Sequence, residues 1–508
     1  MKHLKALALI LALVMVLALF AGCGAGKTDG DEKDNGVEVK TEEVDNSAVY
    51  DAEIHDMHGH QFWFLVRTTT YTHLDTNEIY AEELTGDKIN DAVFKRNATL
   101  QEKYNCEIKE ERNTDPGKAI REQLIAGEYQ FDYVYTSITS LRSLSASNLL
   151  VDFYELEEIN LDKAWWDKNA IEGFSIAGKA FYVTGDAGTL DDRASWIMFF
   201  NKDVIEKAHL ESPYTLVKEG RWTVDKMVEY MNATWEDLNG DGVMEIGKDR
   251  MGYIGERGNN WYHVAACNVK LSRMSSGGDI EIPATVNDDV LRVWAKLKPL
   301  LTSELRDVAD AGGRFKNGLA TFLGINTGCL YGGNYTSMNF GLLPMPKYDE
   351  EQDTYYTSVH SSWTYGFAIP VATDNASDYA ENGFASGREQ AGYFLEAFSY
   401  NSMNTLTVAF YEQVIKYQAV RDVESSEMVD TALKHKVYDP VVIFNFGNIG
   451  TSLFAQCGSD GYGGTSNPGV VAKGSDVNYD TLVSTYEARV EAARKALNNY
   501  INYISAND

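Results

Sequence analysis

Positive charge is what this chain most lacks. Its 45 Lys and Arg stand against 75 Asp and Glu, a formal net charge of -30. A surface that acidic repels phosphate backbones and argues against nucleic acid as a partner. Cysteine is also sparse, with five in 508 residues. Apart from Cys23, the thiols of Cys106, Cys267, Cys329 and Cys457 are too widely and irregularly spaced for a zinc site or a dense disulfide framework. Buried free thiols are expected, and the sequence does not say which would pair if a bridge formed. No apolar run reaches the ~20 residues of a membrane-spanning helix. No HExxH helix, nucleophile elbow or catalytic metal–His cluster is present. Repeats and a long stalk are missing, which argues against an adhesive or structural protein. The fragment CGAGKT at 23–28 lacks the first glycine of a phosphate loop and has no strand before it.

What is there begins with a charged start, Lys2 and Lys5, then the apolar run Ala6–Phe20, then Ala21-Gly22-Cys23. This order predicts a secretory signal over 1–22. Its end resembles a bacterial lipoprotein box, with Phe20 where Leu is usual, so Cys23 is the expected lipidation site. Residues 23–49 contain almost no large apolar side chains and are expected to form a flexible tether.

From Gln61 the pattern alternates between strand and helix. Strands are expected at 61–67, 106–111 and 131–135, with helices over 86–104 and 115–127. This order predicts a parallel sheet covered by helices, with ligands beyond the carboxyl ends of its strands. The loops 68–71 and 136–140 follow two of those ends. The stretch 165–202 holds two further β-type runs, 180–184 and 195–200, around the polar turn 185–193. The second run is expected to cross between two α/β lobes. A strand at 367–371 is expected to return to the first lobe. Helices are expected at 202–210, from Thr223 as N-cap with Asp225 in the first turn, at 290–301 and 390–419, and at the C-terminus.

His55, His58 and His60 cluster before the first strand, and are expected to be solvated loop histidines, not a zinc site. The stretch Asp237-Leu238-Asn239-Gly240-Asp241-Gly242-Val243 places side-chain oxygens at loop positions one, three and five. That spacing predicts a structural calcium ion held by Asp237, Asn239, Asp241, the Val243 carbonyl and Asp249, with Glu245 in reserve. Position twelve is Lys248, a departure from the EF-hand pattern.

Several short stretches then occur in a recognisable order: Asn90-Asp91-Ala92 with Arg96-Asn97, Phe131-Asp132-Tyr133-Val134, Trp165-Trp166, Gly178-Lys179, Gly185-Asp186, Phe199-Phe200-Asn201-Lys202, Gly220-Arg221-Trp222-Thr223, the 239–242 loop, and FGLLPMPKYDEEQDTYYT at 340–357. Together they resemble the family-1 extracellular solute-binding lipoproteins of bacterial ABC importers, over nearly all of residues 50–505. The resemblance implies an α/β, two-lobe periplasmic-binding-protein-like fold with crossing strands as hinge. Lobe 1 is expected over 50–195 plus 367–440 and lobe 2 over 196–366, with 441–508 a C-terminal segment whose helical end packs on the lobes. It further implies a monomer on the outer face of the cytoplasmic membrane that captures a carbohydrate, expected to be an oligosaccharide, for an ABC permease. The ligand candidates carried over are Tyr71 and Ser137 in the first lobe, Trp261, Tyr262, Asn326 and Tyr331 in the second, and Asp186, Trp196, Trp363 and Tyr365 near the crossings. A peptide or other polar solute, and a secreted polysaccharide hydrolase using two carboxylates, are the competing readings. The lobes are expected to close about the segments near Trp196 and Phe367.

Overall fold

The computed structural model describes residues 46–69, 75, 77–255, 260–275, 279–301, 303, 306–307, 311–331, 338–411, 422–449 and 479–506. The expected signal and tether, including Cys23, lie outside the described residues, apart from the last few tether positions. Among the described residues no helix is long and apolar enough to cross a membrane.

Gln61–Arg67 forms a strand with the expected bounds. It runs parallel to Glu107–Asn113 over its whole length and parallel to Tyr133–Ser137 on its other side. Helix Lys88–Tyr104 starts where the Asp87 carboxylate accepts the Asn90 N–H. Helix Pro116–Ala126 starts at Asp115 and stops at Gly127, whose φ of 68° suits a residue without Cβ. Tyr365–Ala368 adds an antiparallel edge against Tyr133–Ser137, so the return strand begins two residues before the expected Phe367. The expected strand at 180–184 makes a single isolated bridge, Val183 to Phe367. Gly185, which follows it, passes so close to the chain that a Cβ there would lie 2.2 Å from the Trp165 carbonyl oxygen. Helix Gly387–Ser402 backs the sheet, with Phe394 stacked on Phe62 at 3.8 Å, and continues as a π-helical turn, Met403–Thr407.

The second sheet has the order Phe340–Leu343, Trp196–Asn201, Ala320–Asn326, Met251–Ile254, Arg306–Asp307. Trp196–Asn201 is antiparallel to both neighbours, whereas Met251–Ile254 is parallel to its own. Trp222, fully buried, donates its indole N–H to the Pro344 carbonyl, and Thr223 caps helix Val224–Thr234 as expected. Helix Val423–Leu433, inside the span expected for lobe 1, packs instead on the second sheet. There Ser425 Oγ accepts the Leu342 N–H at 3.1 Å.

Three crossings between the sheets lie wholly within the described residues. The first leads through Leu190–Arg193 into Trp196, the second runs from Thr357 to Thr364, and the third includes Lys436–Val437. Thr357–Ser358 pairs in parallel with Lys436–Val437, and Ser195 bridges to Val359. The C-terminal helix Tyr479–Ser505 touches both halves. Its Tyr486 hydroxyl donates to the Pro283 carbonyl at 2.8 Å, and its Tyr500 hydroxyl donates to Ser145 Oγ at 3.0 Å.

Candidate functional site

The carboxyl ends of Gln61–Arg67 and Tyr133–Ser137 meet the second crossing segment. Arg67, half-buried, donates to the Ser362 carbonyl at 3.4 Å and lies with its guanidinium carbon 5.8 Å from the centre of the Tyr365 ring. Tyr365 is opposite Ser137 in register and itself buried, which pushes its hydroxyl up to about 12. Ser137 is also buried, and its hydroxyl donates to Ser140 Oγ at 3.4 Å. Thr139 and Ser362 pair their hydroxyls at 3.3 Å. Trp363 is half-buried and stacks on His360, ring centres 4.1 Å apart and 17° between planes. Burial holds the His360 imidazole down at about 4, so it is neutral at physiological pH. Its Nδ1 accepts the Ser362 N–H at 3.3 Å, which leaves the proton on Nε2. Arg67, Thr139, His360, Ser362 and Trp363 thus form one partly exposed edge of polar and aromatic groups.

On the second lobe the crossing strand brings three candidates together. Trp196 stacks on Tyr262 at 4.1 Å with 14° between planes, and faces Asn326 across the ladder. Tyr262 Oη lies 3.2 Å from Tyr253 Oη. Trp196, Trp261, Tyr262 and Asn326 are all buried, and Trp261 opens the short helix Trp261–Ala266. The stacked pair is part of the packing between strand and helix. Tyr71 lies outside the described residues, as does the side chain of Tyr331.

Asp186 belongs to a different neighbourhood. Its carboxylate accepts from Thr407 at 2.7 Å, at the π-helical turn, and burial pushes it up to about 7. Beside it, Lys436 Nζ lies 2.6 Å from Asp191, 2.8 Å from Asp192 and 2.9 Å from Asp167. The other Asp192 oxygen accepts from Tyr411, and Asp167 accepts from Tyr438. The cluster ties the first crossing to the third and lines a cavity of about 280 Å3 together with Trp165, Trp166 and Asp186. Local sequence patterns could not reveal it, because Lys436 meets residues more than 240 positions away. A larger groove, about 1030 Å3, runs between the Arg273–Glu281 hairpin and the C-terminal helix, and no aromatic ring lines it.

The 237–249 loop takes the expected tight turn, with Gly240 and Gly242 at φ 74° and 77°. Asp237 accepts the Gly240 and Gly242 N–H groups, and Asp241 accepts that of Val243. Asn239 donates to Asp241 and Glu245. Asp249 differs from its expected role. It is fully buried, and its two oxygens accept the Leu238 and Glu245 N–H groups at 3.0 and 2.7 Å, so it anchors the base of the loop. Among the described residues no three His, Cys, Asp or Glu side chains are grouped to hold a metal ion.

The histidines before the first strand are not all solvated. His60 is 8% exposed and lies 2.6 Å from Asp378 and 3.5 Å from Asp132. Burial opposes its charge, but those two carboxylates hold it above its usual range. Both acids are remote in sequence, which is why the cluster read as a loop. Cys106 and Cys267 are buried free thiols as expected, and burial pushes both up to about 12, whereas Cys329 is half-buried and Cys457 lies outside the described residues.

These features define a class: an α/β chain of two sheet-centred lobes joined by crossing segments, with polar and aromatic groups where the strands end. No protein-family model matches the sequence, and no curated protein matches it. Solved structures do resemble it. A cyclo/maltodextrin-binding protein complexed with maltotetraose is similar with a TM-score of 0.50 at 12% identity, over 88% of this chain and 98% of that one. The ABC substrate-binding protein Lmo0181 from Listeria monocytogenes, in complex with cycloalternan, gives a TM-score of 0.48 at 10% identity, over 88% of this chain and 99% of that one. The first likeness establishes the two-lobe periplasmic-binding-protein-like fold.

Proposed function

We propose that this chain is a receptor that captures a carbohydrate, specifically an oligosaccharide, between its lobes and delivers it unchanged to an ABC import permease. A lipid on Cys23 would hold it, as a monomer, on the outer face of the cytoplasmic membrane. The observation that carries the reading is the partly exposed edge Arg67, Thr139, His360, Ser362 and Trp363 at the strand ends of a two-lobed fold. Flat rings suit the C–H faces of a sugar, and fixed hydroxyl and imidazole groups suit its hydroxyls. A fold neighbour solved with maltotetraose supports it. Four of the acids nearest the crossings support binding over hydrolysis, because Asp167, Asp191 and Asp192 are bound to Lys436 and Glu78 to Arg193, while Asp186 is held by Thr407.

Thermal shift of the purified protein over an oligosaccharide panel, with chromatography of each sugar afterwards, tests the reading. Stabilisation with the sugar recovered intact is expected. Product formation would replace the receptor with a hydrolase, and stabilisation by peptides alone would replace the carbohydrate.

A structural calcium ion on the 237–249 loop is a second proposal. Asp237, Asn239, Asp241 and the Val243 carbonyl would hold it. Glu245, already beside Asn239, fits the remaining place better than the buried Asp249. Such an ion would stiffen the loop.

A further inference from the structure

Arg67 stands out at the strand ends for the company it lacks. The chain has 75 acidic residues, yet among the described residues none forms an ion pair with this guanidinium. The acids that act on the adjoining Tyr365 turn to other arginines. One oxygen of Asp75 lies 3.4 Å from Arg112, and Glu78 lies 3.0 Å from Arg193. Glu110 also faces Arg112. Arg67 donates to the Ser362 carbonyl at 3.4 Å and also meets the hydroxyl of Tyr365, whose ring lies beside its face. A guanidinium offers five N–H donors in a planar fork, so most of that capacity is open. The side chain is half-buried at the carboxyl end of the first strand, beside the half-buried His360, Ser362 and Trp363. His360 adds no second positive charge there, because its ring is neutral.

An overall charge of -30 repels an anion at long range. At hydrogen-bonding distance the position-specific charge dominates, since long-range fields are screened within about 8 Å at physiological salt. An unpaired guanidinium held in place by a ring and a carbonyl is the group that reads a carboxylate through two parallel hydrogen bonds. A neutral sugar would leave it without a charged partner.

We propose that the captured solute is an acidic oligosaccharide, carrying carboxylates of the uronic-acid kind, and that Arg67 is the specificity-determining residue that binds one of them. This rests on the carbohydrate-receptor reading above and narrows its ligand class.

The test is titration calorimetry on the purified protein with two matched panels. One holds tetrasaccharides of galacturonic, mannuronic, guluronic and glucuronic acid. The other holds the neutral oligosaccharides of the corresponding sugars, with maltotetraose. An acidic tetrasaccharide should bind more tightly than its neutral counterpart, and its affinity should fall as salt rises. Arg67→Gln should weaken that binding about tenfold to a hundredfold, the range for a lost charge-assisted hydrogen bond. Arg67→Lys should recover part of it, and melting of both variants checks that they fold. Preference for a neutral sugar, with less than about threefold loss in Arg67→Gln, overturns the acidic-ligand proposal and leaves the receptor reading intact. Binding of no member of either panel overturns both.

Discussion

The ammonium of Lys436 lies 2.6 Å from the carboxylate of Asp191, and this contact ties the third crossing segment to the short helix that enters the first. Asp192 and Asp167 complete the cluster, and every member is largely buried. Burial and the two like charges push Asp191 up, against the pull of Lys436; burial opposes the Lys436 charge, but the three acids outweigh it and hold Lys436 well above its usual range.

Replacing Lys436 by Met would leave three carboxylates facing each other without a counter-charge. Removing one partner from a buried ion pair costs about 3–5 kcal/mol. A clear fall in Tm by calorimetry is expected. A fall below about 2 °C, equivalent to less than 1 kcal/mol in a large domain, would contradict this role.

Asp186 should make stability depend on pH. Its carboxyl is raised from 3.8 to about 7 by burial, so the folded state holds the proton more tightly than the unfolded one. The stability this contributes is complete at pH below the unfolded value, and is lost as pH rises through the folded one. Asp186→Asn stays uncharged and can still accept from Thr407. Its Tm advantage over the native protein should therefore grow from pH 4 to pH 8, a window set by that shift. A constant difference across the range would remove the assignment.

Trp363 and Trp196 should respond in opposite ways. Trp363 is half-buried and touches His360, so Trp363→Ala is expected to weaken sugar binding with little change in Tm. The loss should be about tenfold, the upper end for one aromatic contact. Trp196 is 3% exposed and stacked on Tyr262, so Trp196→Ala should cost about 3–5 kcal/mol of stability. Melting and calorimetric binding on both variants check the pair. A stable Trp196→Ala that has lost sugar binding would return Trp196 to the ligand surface.

Asp241→Ala separates a calcium site from a self-closed turn. With calcium bound, the variant should melt lower than the native protein in calcium and alike in chelator. Equal differences in both media would show that Asp241 serves only the Val243 N–H.

Local chemistry explains which parts of this structure were legible beforehand. The apolar run QFWFLVR, the cap at Thr223 and the stop at Gly127 depend on near neighbours, and each appears where expected. The two-lobed fold was legible from the order of such elements and from the family resemblance. The candidate site was legible only in part. Trp363, Tyr365 and Ser137 do meet at the strand ends, but Ser137 and Tyr365 are buried. Trp196 and Tyr262, both ligand candidates from the resemblance, stack on each other. Arg67 and His360 carry no motif, and Lys436 finds its acids, like His60 finds Asp378, across hundreds of residues. Long-range charge pairing leaves no periodic trace in a single sequence.

The last helix has a consequence for how far the molecule can gape. Tyr486 grips one half at Pro283 and Tyr500 grips the other at Ser145, so the helix acts as a tie rod outside the crossings. Any excursion that draws Pro283 away from Ser145 must first release one of those two hydroxyls. Widening is thereby capped at one end of its range, and Tyr486→Phe should loosen the cap, visible as a larger radius of gyration in sugar-free solution scattering.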